Sequence, residues 1–239
     1  MTLDRDQILR EMGLGPVWKL RATPAAMQVA EAAFAEQLRE VAPTIAAAAP
    51  AAIMAWDELA AAVAACRQCR LCEARKQAVL GVGDVSADWL FVGEGPGAEE
   101  DQRGEPFVGQ AGKLLDNMLA AIGLKRGEDV YIANAVKCRP PENRKPVDEE
   151  VAACRPYLQQ QTELIRPKLI VALGATAAQT LLQTEIKIAA ARGKLHDYRG
   201  IPLIVTYHPA YLLRTLADKA KAWEDLCFMR RTMAAQKGG

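Results

Sequence analysis

Four short apolar runs rich in β-branched residues punctuate the chain: ADWLFVGE (87–94), DVYIANAV (129–136), PKLIVALG (167–174) and IPLIVTYH (201–208). Between them lie GKLLDNMLAAIGL (112–124), DEEVAACRPYLQQQTELI (148–165) and ATAAQTLLQ (175–183), which carry helical spacing. No other feature constrains the fold as much as this alternation. Runs that stay apolar at successive positions suit strands buried on both faces, and an intervening helix lets such strands run parallel. The expected fold class is α/β, a three-layer α/β/α sandwich around a central four-stranded parallel sheet. In open sheets of this kind the binding crevice lies outside the carboxyl ends of the strands. The chemically unusual residues fall there: GEGPG follows the first run, Asn134 ends the second, Gly174 ends the third and HPAYLLR follows the fourth.

Residues 1–40 carry short helical patterns, and 41–56 form an Ala/Pro-rich segment. A helical N-terminal extension with its linker is therefore expected over 1–55, and the α/β domain over 56–239. No run of about 18 apolar residues is present, so no membrane span is expected. MTLDRDQILREMG lacks the apolar centre of a secretory signal, which predicts a cytoplasmic protein. In a reducing compartment the six cysteines read as ligands, catalytic groups or buried thiols before disulfides. A monomer is expected. The net charge of +1 means that an anionic partner must be met by a local cluster. Lys137, Arg139, Arg144 and Lys145 form one such cluster, and Arg192, Lys194 and Arg199 another, with solubilising charge as the plain alternative.

Each motif has a plain and a chemical reading. GEGPGAEED (93–101) is a strand-to-helix turn whose glycines, Gly95 and Gly97 among them, allow close approach of a ligand to the backbone. It lacks the spacing of a dinucleotide or P-loop cradle, and its acids Glu94, Glu99, Glu100 and Asp101 also suit a helix start. Phe107 in EPFVGQAGKLL is either a core plug or a stacking platform for a planar ligand. Asn134 is either a loop tie or an amide offered to the edge of a nucleobase. His208, one of two histidines, is fixed by Pro209 just past a strand end, whereas His196 in RGKLHDYR reads as surface. The leucines of HPAYLLR lie in an expected loop beside Arg214, and exposed leucines next to a basic residue suit a wedge between stacked bases.

Cys66, Cys69 and Cys72 form two overlapping Cys-x-x-Cys pairs, followed by Cys138, Cys154 and Cys227. Two pairs brought together would make a four-thiolate site for zinc or for an iron–sulfur cluster. The α/β segment between the pairs tilts the choice toward a cluster and leaves it open.

Taken as an ordered set, the Cys66/Cys69 pair, GEGPGAEED, GEPFVGQAG, YIANAVKCRPPENRKP and HPAYLLR resemble the family 4 uracil-DNA glycosylases over roughly residues 60–230. The resemblance implies excision of uracil from DNA by hydrolysis of the N-glycosidic bond, with single- or double-stranded DNA as partner and a [4Fe–4S] cluster as cofactor. A non-catalytic iron–sulfur DNA-binding protein of the same fold is the alternative. By matching position, the resemblance implies that His208 donates to the leaving base, Asn134 reads the uracil edge and Phe107 stacks on the ring. Glu94 positions water, Glu100 crowds out a thymine methyl, and Gly95 and Gly97 line the pocket. Leu212 is the expected wedge, with Arg214, Lys137 and Arg139 on the DNA. Cys66, Cys69, Cys138 and Cys154 are the expected cluster ligands, Cys72 a bystander and Cys227 a helix-core thiol. Better-known relatives carry aspartate where this chain has Gly95, and serine is usual where it has Ala210. A related branch also has a basic insertion bearing a histidine that traps DNA covalently; its absence here implies turnover.

Overall fold

The computed structural model describes residues 54–237; of the extension and linker expected over 1–55, residues 1–53 lie outside the described residues. In chain order the elements are α1 (Trp56–Ala65), α2 (Leu71–Ala74), β1 (Val82–Gly83), β2 (Trp89–Gly93), α3 (Ala98–Arg103), α4 (Gln110–Ala121) and β3 (Val130–Asn134). There follow α5 (Asp148–Ile165), β4 (Leu169–Leu173), α6 (Ala175–Leu182), α7 (Ile188–Ala191), β5 (Leu195–Tyr198), β6 (Ile201–Thr206), α8 (Pro209–Arg214) and α9 (Lys219–Lys237). Short 3-10 turns cover Pro141–Asn143 and Leu216–Asp218.

The sheet has six strands in the order β1-β3-β2-β4-β6-β5. The four expected strands form its parallel centre, and β1 and β5 close the edges antiparallel to β3 and β6. The four-stranded parallel expectation is thus corrected to a mixed six-stranded sheet. Neither edge strand announces itself in sequence. β1 is two residues long, and β5 reads Leu-His-Asp-Tyr, with polar residues where an apolar run would signal a strand. The same pattern explains His196, which lies in β5 with its Nε2 3.0 Å from the Ala191 carbonyl rather than in a surface loop.

Successive side chains of the central strands serve two cores, as the two-residue period of a strand requires. Leu90, Val92, Tyr131, Ala133, Ile170, Ala172, Leu203 and Val205 pack with Leu158 and Ile165 of α5 and with Ala177, Ala178 and Leu181 of α6. The alternate set, Phe91, Ile132, Val171 and Ile204, is equally buried. On that side α9 lies against β6. Thr206 donates to the buried Asp225 carboxylate at 2.6 Å, and Arg192 Nε reaches the same oxygen at 2.7 Å, so the end of β6 is tied to α9 by a shared buried charge.

The connections place the site. β2 is flanked by β3 on one side and β4 on the other, so the chain crosses over β2 between β3 and β4. The crevice of a parallel sheet opens at such a reversal, beyond the strand ends. Gly93 ends β2 directly opposite Asn134 at the end of β3.

Candidate active site

Beyond the carboxyl ends of β2, β3, β4 and β6 lies a cavity of about 480 Å³, lined by Glu94, Gly95, Gly97, Glu100, Phe107, Asn134, His208 and Arg214 among others. It gathers all of the expected catalytic and base-contacting side chains. Their convergence depends on two glycines. A Cβ at Gly93 would stand 2.5 Å from both Asn134 Oδ1 and Phe107 Cζ, so only glycine lets the amide and the ring meet across this strand end. Gly174, at φ +92°, turns the chain out of β4, and a Cβ there would press on His208 Cβ at 2.9 Å.

Asn134 is 2% exposed, and its Oδ1 accepts no hydrogen bond from the protein among the described residues. An unpaired buried acceptor is costly unless a ligand satisfies it. This one lines the cavity. Phe107 is held at φ 56° by Arg126, which donates to the carbonyls of Pro106 and Phe107 at 2.9 Å each. Its ring stacks against His208, with centroids 5.5 Å apart and planes at 30°.

His208 caps α8: its Nδ1 accepts the Ala210 amide at 3.1 Å. The ring proton of the neutral imidazole therefore sits on Nε2. Burial, reinforced by the Arg214 charge, holds the imidazole down to about 4, with Glu100 opposing weakly. The side chain is a neutral donor at ordinary pH.

Two acids at the cavity edge behave differently. Glu94 Oε2 accepts from Thr176 Oγ1 at 2.5 Å, which fixes the carboxylate against α6. Thr176 escaped the sequence reading; its only signal is its place at the start of the helix that follows Gly174. Glu100 accepts from the amides of Val108 (2.9 Å), Gly109 (3.1 Å) and Gly97 (3.1 Å). It clamps the Phe107 loop to the first turn of α3, and the Gly97 amide is consumed by that clamp instead of being free for a ligand.

Three expectations about the DNA-facing surface need correction. HPAYLLR is a helix, α8, because His208 caps it and Pro209 suits its first position. Within α8 Leu212 is 1% exposed and faces the interior, while Leu213, one helical step on, is 41% exposed. Leu212 therefore has no free side chain to act as a wedge. Lys137, expected on DNA, is 1% exposed and donates to the Asn134 carbonyl at 2.8 Å and to Gln161 Oε1 at 2.5 Å. Other members of the basic clusters are engaged as well: Arg144 with Glu150 through two bonds, Arg192 with Asp225, and Arg199 with Glu163. Arg139 is half-buried, its Nε on Asn143 Oδ1, and Arg214 is exposed on the cavity wall.

A second, small chamber is lined by Cys66, Cys69, Cys72, Cys138 and Cys154 with Arg75, Lys137 and Tyr157. All of these cysteines are free thiols. Cys72 is no distant bystander, since it lines the chamber with the other four. Cys227 is half-buried on α9. Arg75 donates to Cys138 Sγ at 2.8 Å and to the carbonyls of Ala64 and Cys66. Burial pushes the Cys69, Cys138 and Cys154 thiols up, Cys154 to about 11, and the neighbouring sulfurs add to the rise. Thiolates in such a chamber need positive charge among them. Among the described residues no three candidate ligands converge closely enough for a single metal ion. A set of thiols of this kind is a donor set that both zinc and an iron–sulfur cluster accept.

The uracil DNA glycosylase superfamily model matches residues 80–227. The chain belongs to the uracil-DNA glycosylase superfamily. Within that superfamily it is 48% identical to a type-4 uracil-DNA glycosylase of Archaeoglobus fulgidus over 66% of this chain and 82% of that protein. It is 47% identical to the type-4 uracil-DNA glycosylase of Thermotoga maritima over 65% of this chain and 82% of that protein. A type-5 uracil-DNA glycosylase of Pyrobaculum aerophilum is 35% identical over 54% of this chain and 64% of that protein. Both cavities lie in or beside the segment that the superfamily model covers, with Cys66, Cys69 and Cys72 just upstream of it.

The Gly93 geometry gives a direct test. Gly93→Ala forces Asn134 and Phe107 apart and lowers unfolding stability by about 1–3 kcal/mol, as overpacking does. Urea denaturation with an unchanged midpoint would contradict the close approach.

Proposed function

We propose that the chain removes uracil from DNA, hydrolysing the N-glycosidic bond and leaving an abasic site for base-excision repair. The observation that carries this reading is the pairing of an unsatisfied buried amide, Asn134, with a neutral imidazole donor, His208, beside an aromatic ring in one cavity.

A base inside a duplex cannot reach such a pocket, so the nucleotide is flipped into it. The uracil ring stacks on Phe107. Asn134 Oδ1 accepts from the N3–H of uracil while its amide N–H donates to O4. Cytosine, which has no N3–H and carries an amine at position 4, leaves both groups mismatched. That mismatch penalises cytosine more strongly than a change of size would.

Cleavage breaks the C1′–N1 bond with its electron pair going to the base. Negative charge grows on the uracil carbonyl as positive charge grows on the sugar. His208 Nε2–H donates to that carbonyl, and a donor preorganised in a buried site stabilises developing charge without reorganisation. Glu94, held by Thr176, supplies negative charge on the sugar side and orients the water that adds to C1′. With Gly95 in place of the aspartate of better-known relatives and Glu100 engaged by three backbone amides, Glu94 is the acid left for the sugar side, and the DNA phosphates add to its field. The water proton leaves to solvent and the uracil anion is protonated on release.

Arg214 and Arg139 contact phosphate in this reading, and Leu213, exposed beside Arg214, takes the wedge role that Leu212 cannot. Cys66, Cys69, Cys138 and Cys154 hold a [4Fe–4S] cluster. Through them a bound cluster would join the turn after α1, the loop after β3 and α5, and would supply no bond-making chemistry.

A single-stranded oligonucleotide with one uracil is cleaved by alkali after incubation with the protein, and Asn134→Ala slows release by at least about 100-fold, the cost of losing one preorganised group. No release by iron-replete protein contradicts the activity. Wild-type release by the variant removes Asn134 from the site. The rate follows neutral His208, so it holds from neutral pH downward and falls only as pH approaches about 4. Because the Arg214 charge favours the neutral ring, Arg214→Met moves that acid limb to higher pH. A wild-type limb centred near the ordinary imidazole value would refute the assignment. Iron analysis of Cys138→Ser and Cys72→Ser checks the ligand set: the first loses iron and the second keeps it, and the reverse result would exchange them.

A further inference from the structure

We propose that Lys137 is a positioning residue that ties the base-reading strand end at Asn134 to the thiol chamber. The inference rests on the glycosylase reading and deepens it. Lys137 stands three residues after Asn134 and immediately before Cys138, in the bend that leaves β3. It is among the largest fully buried side chains, and a lysine is almost never so buried without partners. Its Nζ donates to the Asn134 carbonyl and to Gln161 Oε1. Gln161 is itself fixed, donating to the Leu80 carbonyl at 2.9 Å and lying 3.4 Å from Tyr131 Oη. The carbonyl of Lys137 accepts the Val79 amide at 2.7 Å, which pins the bend from the other side.

An ammonium has three hydrogens, and these two acceptors use two of them. Lys137 lines the thiol chamber. Burial holds its ammonium down to about 7, and Cys154 and Cys138 beside it oppose that shift. One side chain thus touches the backbone of the amide that reads the base and the wall of the chamber that takes the cluster. Arg75, the other cation lining the chamber, bonds Cys138 and the carbonyls of Ala64 and Cys66, and none of its bonds reaches the strand end at Asn134. The positioning therefore runs through Lys137.

The test uses the full chain carrying its cluster. Lys137→Met keeps the length of the side chain and removes its charge and donors. We expect wild-type iron content and unchanged KM for a uracil oligonucleotide, with kcat for uracil release lower by about 10- to 100-fold, as for other groups that orient a functional residue. The reduction potential of the cluster moves to a more negative value, because a nearby cation favours the added electron. A purely structural lysine would move neither the KM–kcat split nor the potential. Unchanged kcat, an unchanged potential, or iron lost together with activity each overturns the proposal. If Lys137→Met does not fold, Gln161→Met, which removes one acceptor and keeps the lysine, shows the same kcat loss at smaller size, and wild-type kcat there overturns it too. Wild-type protein is assayed in parallel. If it releases no uracil, the glycosylase reading falls and this inference with it; if it does and the variants match it, the inference falls alone.

Discussion

The close approach of Gly93 to Asn134 and Phe107 is the constraint on which the site depends. Parallel pairing sets the ends of β2 and β3 side by side, and the crossover to β4 opens the crevice beyond them. Neither fact alone makes a binding site. The absence of a Cβ at Gly93 lets the Asn134 amide and the Phe107 ring occupy the same narrow space. The Phe107 loop is then clamped from two directions, by Glu100 through three backbone amides and by Arg126 through two carbonyls. Rigidity of this kind is what keeps a polar group unpaired in a buried wall instead of collapsing onto a neighbour.

The same logic sets the protonation of His208. Its Nδ1 is used by the helix it caps, and its other nitrogen carries the proton. Burial and Arg214 hold the ring neutral, so the side chain that caps the helix is also the neutral donor that the proposed function calls on. Of the two carboxylates lining the cavity, Glu100 is taken up by three backbone amides. Such an environment favours a leaving group that departs as an anion, because stabilisation comes from fixed dipoles and not from proton transfer. Glu94 also lines the cavity, its carboxylate held by Thr176.

The four central strands, α5 and α6 were legible because their apolar periodicity is local and strong. The placement of Asn134, Glu94 and His208 at strand ends followed from the parallel sheet. What was not legible depends on tertiary burial or on weak local signals. β1 is too short to carry a pattern, and β5 is polar because one of its edges is unpaired. Lys137 reads as a DNA-facing cation beside Arg139, since sequence cannot reveal that its neighbour Gln161 waits inside. Leu212 and Leu213 are indistinguishable until α8 is recognised as a helix, although His208 followed by Pro209 was a capping signal that favoured one. Cys72 falls outside the family register, yet α2 turns it into the chamber with the other thiols. In each of these cases the residue type was right for two environments, and only the packing chose between them.

The proposed chemistry depends on a neutral imidazole in the cavity whose proton lies on Nε2. With only two histidines in the chain, nitrogen-15 NMR of uniformly labelled protein resolves both rings. His208 is expected to show the Nε2–H tautomer at neutral pH and to stay neutral until pH approaches about 4. A His208 ring that takes up its proton near the ordinary imidazole value, or that carries its proton on Nδ1, would contradict it.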